Sequence, residues 1–508
     1  MLSRILSVGG ITLFSRVTGF VRDIALAAVL GAGPLADALV VAMRLPNNFR
    51  SIFAEGAFSA AYVPAYARIR EAESDKQAQI FASRVQTILL GSQLILLAIA
   101  LVAMPWIIRV LAPGFTDDPA KFDLAVALSR ITFPYLLFVT LVTQLSGSLN
   151  AVGRFAAAAF APVLLNLSMI AAMSLTFLFP TTAHAAAWGV CAAGVAELAL
   201  LVAAAARAGV MPGLAAPAND ANMTAFWRAF WPGVLGSSGV QIAMFADLIL
   251  STLLPEGGPA TMYYADRIYQ LPIGVIAVAA GTVLLPEMSR RIAAGDVGGA
   301  HHAQSRTIAL TLALTGPCLA AFLVIPDLVI RAAFVRGAYT DADALLSGGV
   351  LFAYGAGLPA IVLIRSVVAS FHARGDTRTP MLISFAAIAV NVALKIVLAP
   401  KIGAPGLAYA TAVGAWINFV ALSVLAKRRS LMSPTHDFWR LMAIIGAATA
   451  AMLAFFIYAR APFAEFFSSL PMRDLVTLAV LGLAGLNLYV VTAFVGSRAL
   501  GVDLSVRR

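Results

Sequence analysis

Apolar stretches long enough to cross ~30 Å of hydrocarbon follow one another from one end of the chain to the other. They predict about fourteen helical spans, near 5–30, 35–64, 82–108, 123–149, 157–179, 184–206, 225–253, 259–288, 303–325, 342–371, 380–398, 404–426, 438–459 and 472–497. Strand alternation is absent, which argues against an outer-membrane barrel. The fold class expected is an all-α polytopic membrane protein.

Basic residues test this division. The second, fourth, sixth, eighth, tenth and twelfth loops hold Arg68, Arg70, Lys76, Arg154, Arg207, Arg290, Arg291, Arg374, Arg378, Lys427, Arg428 and Arg429, and Arg507 and Arg508 follow the last span. The odd loops are poorer: "GAGP", "PTTAH" and "PEGGPA" contain no Lys or Arg. Cytoplasmic loops carry the excess of Lys and Arg, so both termini are expected in the cytoplasm. Arg4 before "ILSVGGITLF" resembles the start of a signal peptide. The apolar stretch runs on without an A-x-A site, so it reads as a retained first span.

An internal repeat is faintly visible. "SLNAVGRFAAAAFAPVLLN" (148–166) resembles "SFHARGDTRTPMLISFAAIAVN" (370–391), and "LPNNFRSIFAEGAFSAAYVP" (45–64) is echoed by "LPIGVIAVAAGTVLLP" (271–286). The copies lie six spans apart, an even number, so both halves have the same orientation, with a pseudo-two-fold axis along the membrane normal. The expected organisation is a six-helix lobe in 1–210, a second in 211–430, and two additional helices with a cytoplasmic tail in 431–508.

Composition agrees. The 508 residues are 61% hydrophobic and 12% charged, with mean hydropathy +0.90, against roughly 25% charged in soluble domains. A net charge of +11 would suggest nucleic acid in a soluble protein; here most basic residues fall between spans, and no nucleic-acid partner is expected. Cys191 and Cys318 lie in apolar segments and imply no disulfide framework.

Charges inside the spans carry the functional information. The first span holds Arg16, Arg22 and Asp23; the second holds Asp37, Arg44, Pro46, Asn47, Asn48, Arg50 and Glu55; the eighth holds Asp266 and Arg267. Polar or broken helices at membrane depth survive only against protein or a water-filled cavity. Arg16 and Asp23, like Asp37 and Arg44, are seven apart and share a helix face. Arginine stays charged and offers a planar fork that matches phosphate oxygens. Two readings follow: structural ion pairs near helix ends, or a cationic cavity for an anionic headgroup. Other motifs carry less. Asn166 and Asn222 match a glycosylation pattern but fall in a span and in a cytoplasmic loop; His301-His302 and Asp117-Asp118 lack partners at metal-ligand spacing; no P-loop is present. No cofactor or metal is expected.

The stretches "FSRVTGFVRD", "RLPNNFRSIFAEGAFSAAYVP", "MYYADRIYQLP", "GTVLLPEMSR" and "ARGDTRTP" resemble the MurJ (MviN) lipid II flippases of the MOP transporter superfamily. The resemblance implies two six-helix lobes around a central cavity, and two extra C-terminal helices whose groove leads toward it. It implies a transporter rather than an enzyme, moving lipid II by alternating access in the bacterial inner membrane. The cell-wall synthesis machinery and membrane lipids would be its partners and a monomer its working form. Arg16, Arg22, Arg50 and Arg267 match cavity arginines that hold the headgroup, and Asp37 and Glu55 match acids linked to gating and ion pairing; Asp23 and Asp266 join them as charge partners. Gln270 stands where relatives can have an acid. The alternatives are an O-antigen-type flippase or a cation-coupled drug antiporter of the same superfamily, or an enzyme acting on prenyl phosphates.

A second polar cluster is expected at similar depth in three spans: Asp247 in the seventh, Asn391 and Lys395 in the eleventh, and Thr411 in the twelfth. Its oxygens are of the kind that coordinate Na⁺, but Lys395 places a tethered ammonium where such an ion would sit. Either Lys395 pairs with Asp247, so that no sodium is needed, or it snorkels to the membrane surface.

Overall fold

Each predicted span is occupied by one α-helix or by two consecutive ones. The computed structural model describes residues 2–53, 56–434 and 436–501, with the side chains at 2–8, 51–53, 235–240, 278–280, 282 and 436 left aside. The helices are α1 (Leu2–Leu30), α2 (Pro34–Phe53), α3 (Ala57–Ala72), α4 (Asp75–Leu111), α5 (Pro119–Thr132), α6 (Tyr135–Ala151), α7 (Ala156–Ser174) and α8 (Thr182–Ala208). They continue with α9 (Ala221–Thr252), α10 (Gly258–Pro272), α11 (Val278–Ala293), α12 (Val297–Val324), α13 (Pro326–Phe334), α14 (Asp341–His372), α15 (Arg378–Ile402), α16 (Ala404–Arg428), α17 (His436–Phe466) and α18 (Arg473–Leu500). A π-helical turn at Ile273–Ala277 joins α10 to α11.

Among the described residues, ten helical segments are long and apolar enough to cross a membrane, and the chain is a multi-pass membrane protein. Their outer faces are apolar, as at Val102 (81% exposed) and Trp106 (68%). The predicted spans outside this set are α1, α2–α3, α9 and α10–α11, which carry Arg22, Arg50, Asp247 and Arg267.

The repeat is written into the helix boundaries. Val297 opens α12 as Asp75 opens α4, a shift of 222 residues, and the same shift carries the starts of α5, α7 and α8 onto those of α14, α15 and α16. Caps follow it: Ser74 accepts the Gln77 amide and Asp296 that of Gly299, while Asp118 and Thr340 cap α5 and α14. So do the turns that the sequence comparison singled out. Gly153 (φ +75°) and Gly375 (φ +79°) each end a helix in the left-handed region, where a side chain is strained. Each turn is closed by the next amide, Arg154 N to Leu149 O at 2.9 Å and Asp376 N to Phe371 O at 3.1 Å. Inside the halves, Gln144 Nε2 on α6 donates to Ala82 O on α4 (2.7 Å), and Gln304 Nε2 on α12 donates to Ser366 O on α14 (3.0 Å). These positions correspond, but the glutamine has changed helix.

By packing, the chain forms two compact units, Met1–Ala260 and Thr261–Arg508. This boundary lies beyond the repeat junction expected at 210, because α9, the first helix of the second copy, packs with α2, α3 and α4. Phe226 and Phe230 of α9 enter a buried aromatic core with Phe58, Tyr62 and Phe81, where each edge or stacked pair adds about 0.5–1.5 kcal/mol beyond the area it buries. In the second unit, α17 and α18 pack on each other and on α12 and α13, outside the repeated set. Their seam holds Met452, Phe456 and Tyr489.

Candidate functional site

In the first unit, Arg22 is fixed from two sides. Its Nη2 and Nε reach Asp23 Oδ1 at 2.7 and 3.1 Å, and its Nη1 donates to Asn166 Oδ1 on α7 at 3.0 Å. Asn166 in turn donates to Ser15 O and Thr18 Oγ1, both at 3.1 Å, tying α7 to α1. Gly19 faces this contact: a Cβ there would meet Asn166 Nδ2 at 3.4 Å. The side chains of Arg22 and Asp23 are 13% and 5% exposed. A carboxylate and an amide that share one guanidinium leave it charged but oriented, which is the arrangement an anion-binding arginine needs. Arg16, six residues earlier, is exposed.

Asp37, near the start of α2, is fully buried. Lys121 Nζ on α5 donates to its Oδ2 at 2.7 Å, and the amides of Gly257 and Ala260, the last residues of this unit, donate at 2.9 and 3.0 Å. The Lys121 ammonium also lies over the Phe115 ring, 4.4 Å from its centroid. Arg50, at the other end of α2, is half-buried and donates to Asn47 Oδ1 at 2.8 Å. It lies within electrostatic reach of Glu197 on α8, a buried carboxylate that also accepts from the Tyr135 hydroxyl at 3.4 Å. Glu55 lies outside the described residues.

In the second unit, Arg267 of α10 lies over the Tyr263 ring at 4.7 Å. Asp266 accepts from the Gln270 side-chain amide one turn on, so the glutamine serves as a neutral partner of the neighbouring carboxylate. The π-helical turn follows Pro272 within two turns of Arg267; such turns widen a helix locally and recur at functional sites.

The residues of the predicted polar cluster fall in both units. Asp247, half-buried, belongs to the first unit; Asn391, Lys395 and Thr411 belong to the second. Lys395 is 1% exposed. Thr411 Oγ1 bonds back to Leu407 O at 3.1 Å, within its own helix. Asn391 Oδ1 is buried with no hydrogen-bond partner, and Gly414 leaves room for it: a Cβ there would meet the Asn391 Cβ at 2.8 Å. Among the described residues, no group of three or more His, Cys, Asp or Glu converges as a metal site.

Outside the spans, the "ARGDTRTP" turn is locked by one carboxylate. Asp376 accepts from the Thr379 amide (2.9 Å) and from Arg429 Nη1 (2.9 Å). The Thr379 amide, with its hydroxyl and Arg429 adding, holds the Asp376 carboxyl below the usual range.

Sequence reasoning missed Lys121, Asn166 and Glu197. Glu197 had a signal, as the sole carboxylate of an otherwise apolar span; Asn166 and Lys121 had none that local spacing could reveal.

Residues 26–477 match the family described as "Lipid II flippase MurJ". A relative named "Probable lipid II flippase MurJ" from Rhizobium tropici is 40% identical over 463 residues, 90% of this chain and 87% of the relative. A solved structure titled "Lipid II flippase MurJ, inward closed conformation" matches with TM-score 0.79 at 23% identity, covering 97% of this chain and 99% of that one. An inward-facing multidrug resistance MATE family transporter of the MOP superfamily matches with TM-score 0.70 at 16% identity, over 84% of this chain and 98% of that one. The matched length and the identity together place this chain in the lipid II flippase MurJ family.

Proposed function

We propose that this protein moves lipid II, an undecaprenyl pyrophosphate carrying the peptidoglycan disaccharide-pentapeptide, from the cytoplasmic to the periplasmic leaflet of the bacterial inner membrane. The chain crosses the membrane fourteen times with both termini in the cytoplasm. It acts as a monomeric transporter that makes and breaks no covalent bond, alongside the cell-wall synthesis machinery. Arg16, Arg22, Arg50 and Arg267 take the anionic headgroup, and alternating access carries it across. The observation that carries this reading is Arg22, a charged group largely buried and aimed by Asp23 and Asn166. An intramembrane charge costs roughly 2.5–3.5 kcal/mol on the lenient insertion scale, and a lipid-linked pyrophosphate is a cargo that makes such a charge useful. The test is depletion of the protein in its host with an assay of the leaflet that lipid II occupies. Accumulation in the cytoplasmic leaflet is expected; unchanged arrival at the periplasmic leaflet would overturn the proposal.

A further inference from the structure

A pocket of about 520 Å³ opens at one end of the second unit, where α13 and the loop after it meet the turn between α17 and α18. Three arginines line it, Arg331, Arg336 and Arg473, against a single carboxylate, Asp474. Nothing in the handling of lipid II described above uses these residues.

The arginines are only partly satisfied by protein. Arg331 Nη1 reaches Asp341 at 2.8 Å, but its Nε is buried without a hydrogen-bond partner. Arg336 donates to the Ala332 carbonyl at 2.8 Å and, among the described residues, has no carboxylate within ion-pair distance. Among the described residues, Arg473 has only its neighbour Asp474, at 3.9 Å. The pocket also receives the start of α18. That helix is entered through Met472, a non-glycine residue in the left-handed region (φ +58°) whose side chain caps nothing. The first amides of a helix of 28 residues thus add partial positive charge to the guanidinium forks, a combination suited to phosphate oxygens. A backbone held off its preferred region, as at Met472, persists where the surroundings or a ligand over-determine it.

The rim separates a lipid from a free ion. Leu470, Met472 and Leu475 are 44%, 60% and 42% exposed beside the arginines, so an apolar shelf adjoins the charged floor. We propose that the pocket binds the phosphate of an anionic membrane phospholipid, with its glycerol and acyl chains on that shelf. With both termini cytoplasmic the bound lipid belongs to the periplasmic leaflet; this sidedness rests on the proposed orientation, whereas the binding does not.

The test uses full-length protein in detergent micelles, with lipid retention followed by native mass spectrometry during titration with phosphatidylglycerol, phosphatidylcholine or inorganic phosphate. The unaltered protein is expected to retain phosphatidylglycerol over phosphatidylcholine, and inorganic phosphate to displace it only weakly. Arg336→Gln with Arg473→Gln removes two charge-assisted donors and should weaken phosphatidylglycerol retention roughly tenfold or more, with an unchanged unfolding temperature. Should the double variant fold poorly, Arg473→Gln alone, at an exposed side chain, should show a smaller loss in the same direction. Equal retention by the unaltered and altered proteins would overturn the site; displacement by inorganic phosphate at concentrations matching the lipid would overturn the lipid as its ligand. The readout is retained lipid, so either result stands apart from whether the protein flips lipid II.

Discussion

Asp37 and Lys121, 84 positions apart in the chain, form an ion pair of 2.7 Å in which the carboxylate is fully buried. Two backbone amides complete the coordination of that carboxylate, so its charge is compensated only while the lysine stays. Breaking a buried pair from one side costs about 3–5 kcal/mol, since the orphaned charge remains inside. Lys121→Ala is therefore expected to lower the unfolding temperature of the purified protein sharply. Lys121→Ala combined with Asp37→Asn should recover part of the loss. Strictly additive penalties in this cycle would show that the two side chains do not depend on each other.

Arg22 should be sensitive to its orientation as well as its charge. Arg22→Lys keeps the charge but cannot span Asp23 and Asn166 together, so it is expected to support growth of flippase-depleted cells poorly, and Arg22→Ala not at all. Asn166→Leu should show a milder defect of the same kind, although it removes no charge. Normal growth with Arg22→Ala and Arg267→Ala, at normal protein levels, would eliminate these arginines as headgroup ligands.

The burial of Lys395 sharpens a choice left open by the sequence. A snorkelling lysine keeps its ammonium in water, whereas Lys395 is 1% exposed. We expect Lys395→Ala to destabilise the protein through Asp247, with partial rescue by sodium, and Asp247→Asn with Lys395→Gln to be milder than the single lysine change. A double-mutant cycle with no coupling, and no response to sodium, would remove Asp247 as the partner of Lys395.

A pH effect is expected at the "ARGDTRTP" turn. The folded state holds the Asp376 carboxyl below its usual range, chiefly through the Thr379 amide, so the ionised form favours folding. Its contribution is present above about pH 4, the ordinary Asp range, and is lost as pH falls through the depressed folded value. Acid titration of unfolding should show Asp376→Asn losing less stability than the parent between neutral pH and about pH 3. Parallel curves for the two proteins would count against this linkage.

The spans, their glycine turns and the arginine-bearing motifs are legible in the sequence because each is a local property. Apolar length, a left-handed turn such as Gly375 and a charge in an apolar run are all readable within thirty or so residues. The partners are not local. Spacing offered Arg16 with Asp23 and Asp37 with Arg44 as residues on a common face. Packing gave Asp23 its neighbour Arg22, gave Arg22 an amide 144 positions away, and gave Asp37 a lysine from a stretch judged poor in basic residues. The affiliation of α9 was hidden for the same reason. Its aromatic residues fit the core around Tyr62, and nothing in their own periodicity names that core.

The glutamines Gln144 and Gln304 have a bearing on how such a chain came to be. A doubled gene starts with identical residues on matching helices. These two halves instead hold the same bond, glutamine amide to buried carbonyl, with donor and acceptor helices exchanged. Divergence has thus preserved the link and let its ownership drift. One route between the two arrangements passes through a chain with glutamine on both helices at once, and that route is open only where the buried space beside Ala82 and Gln144 can take a second amide.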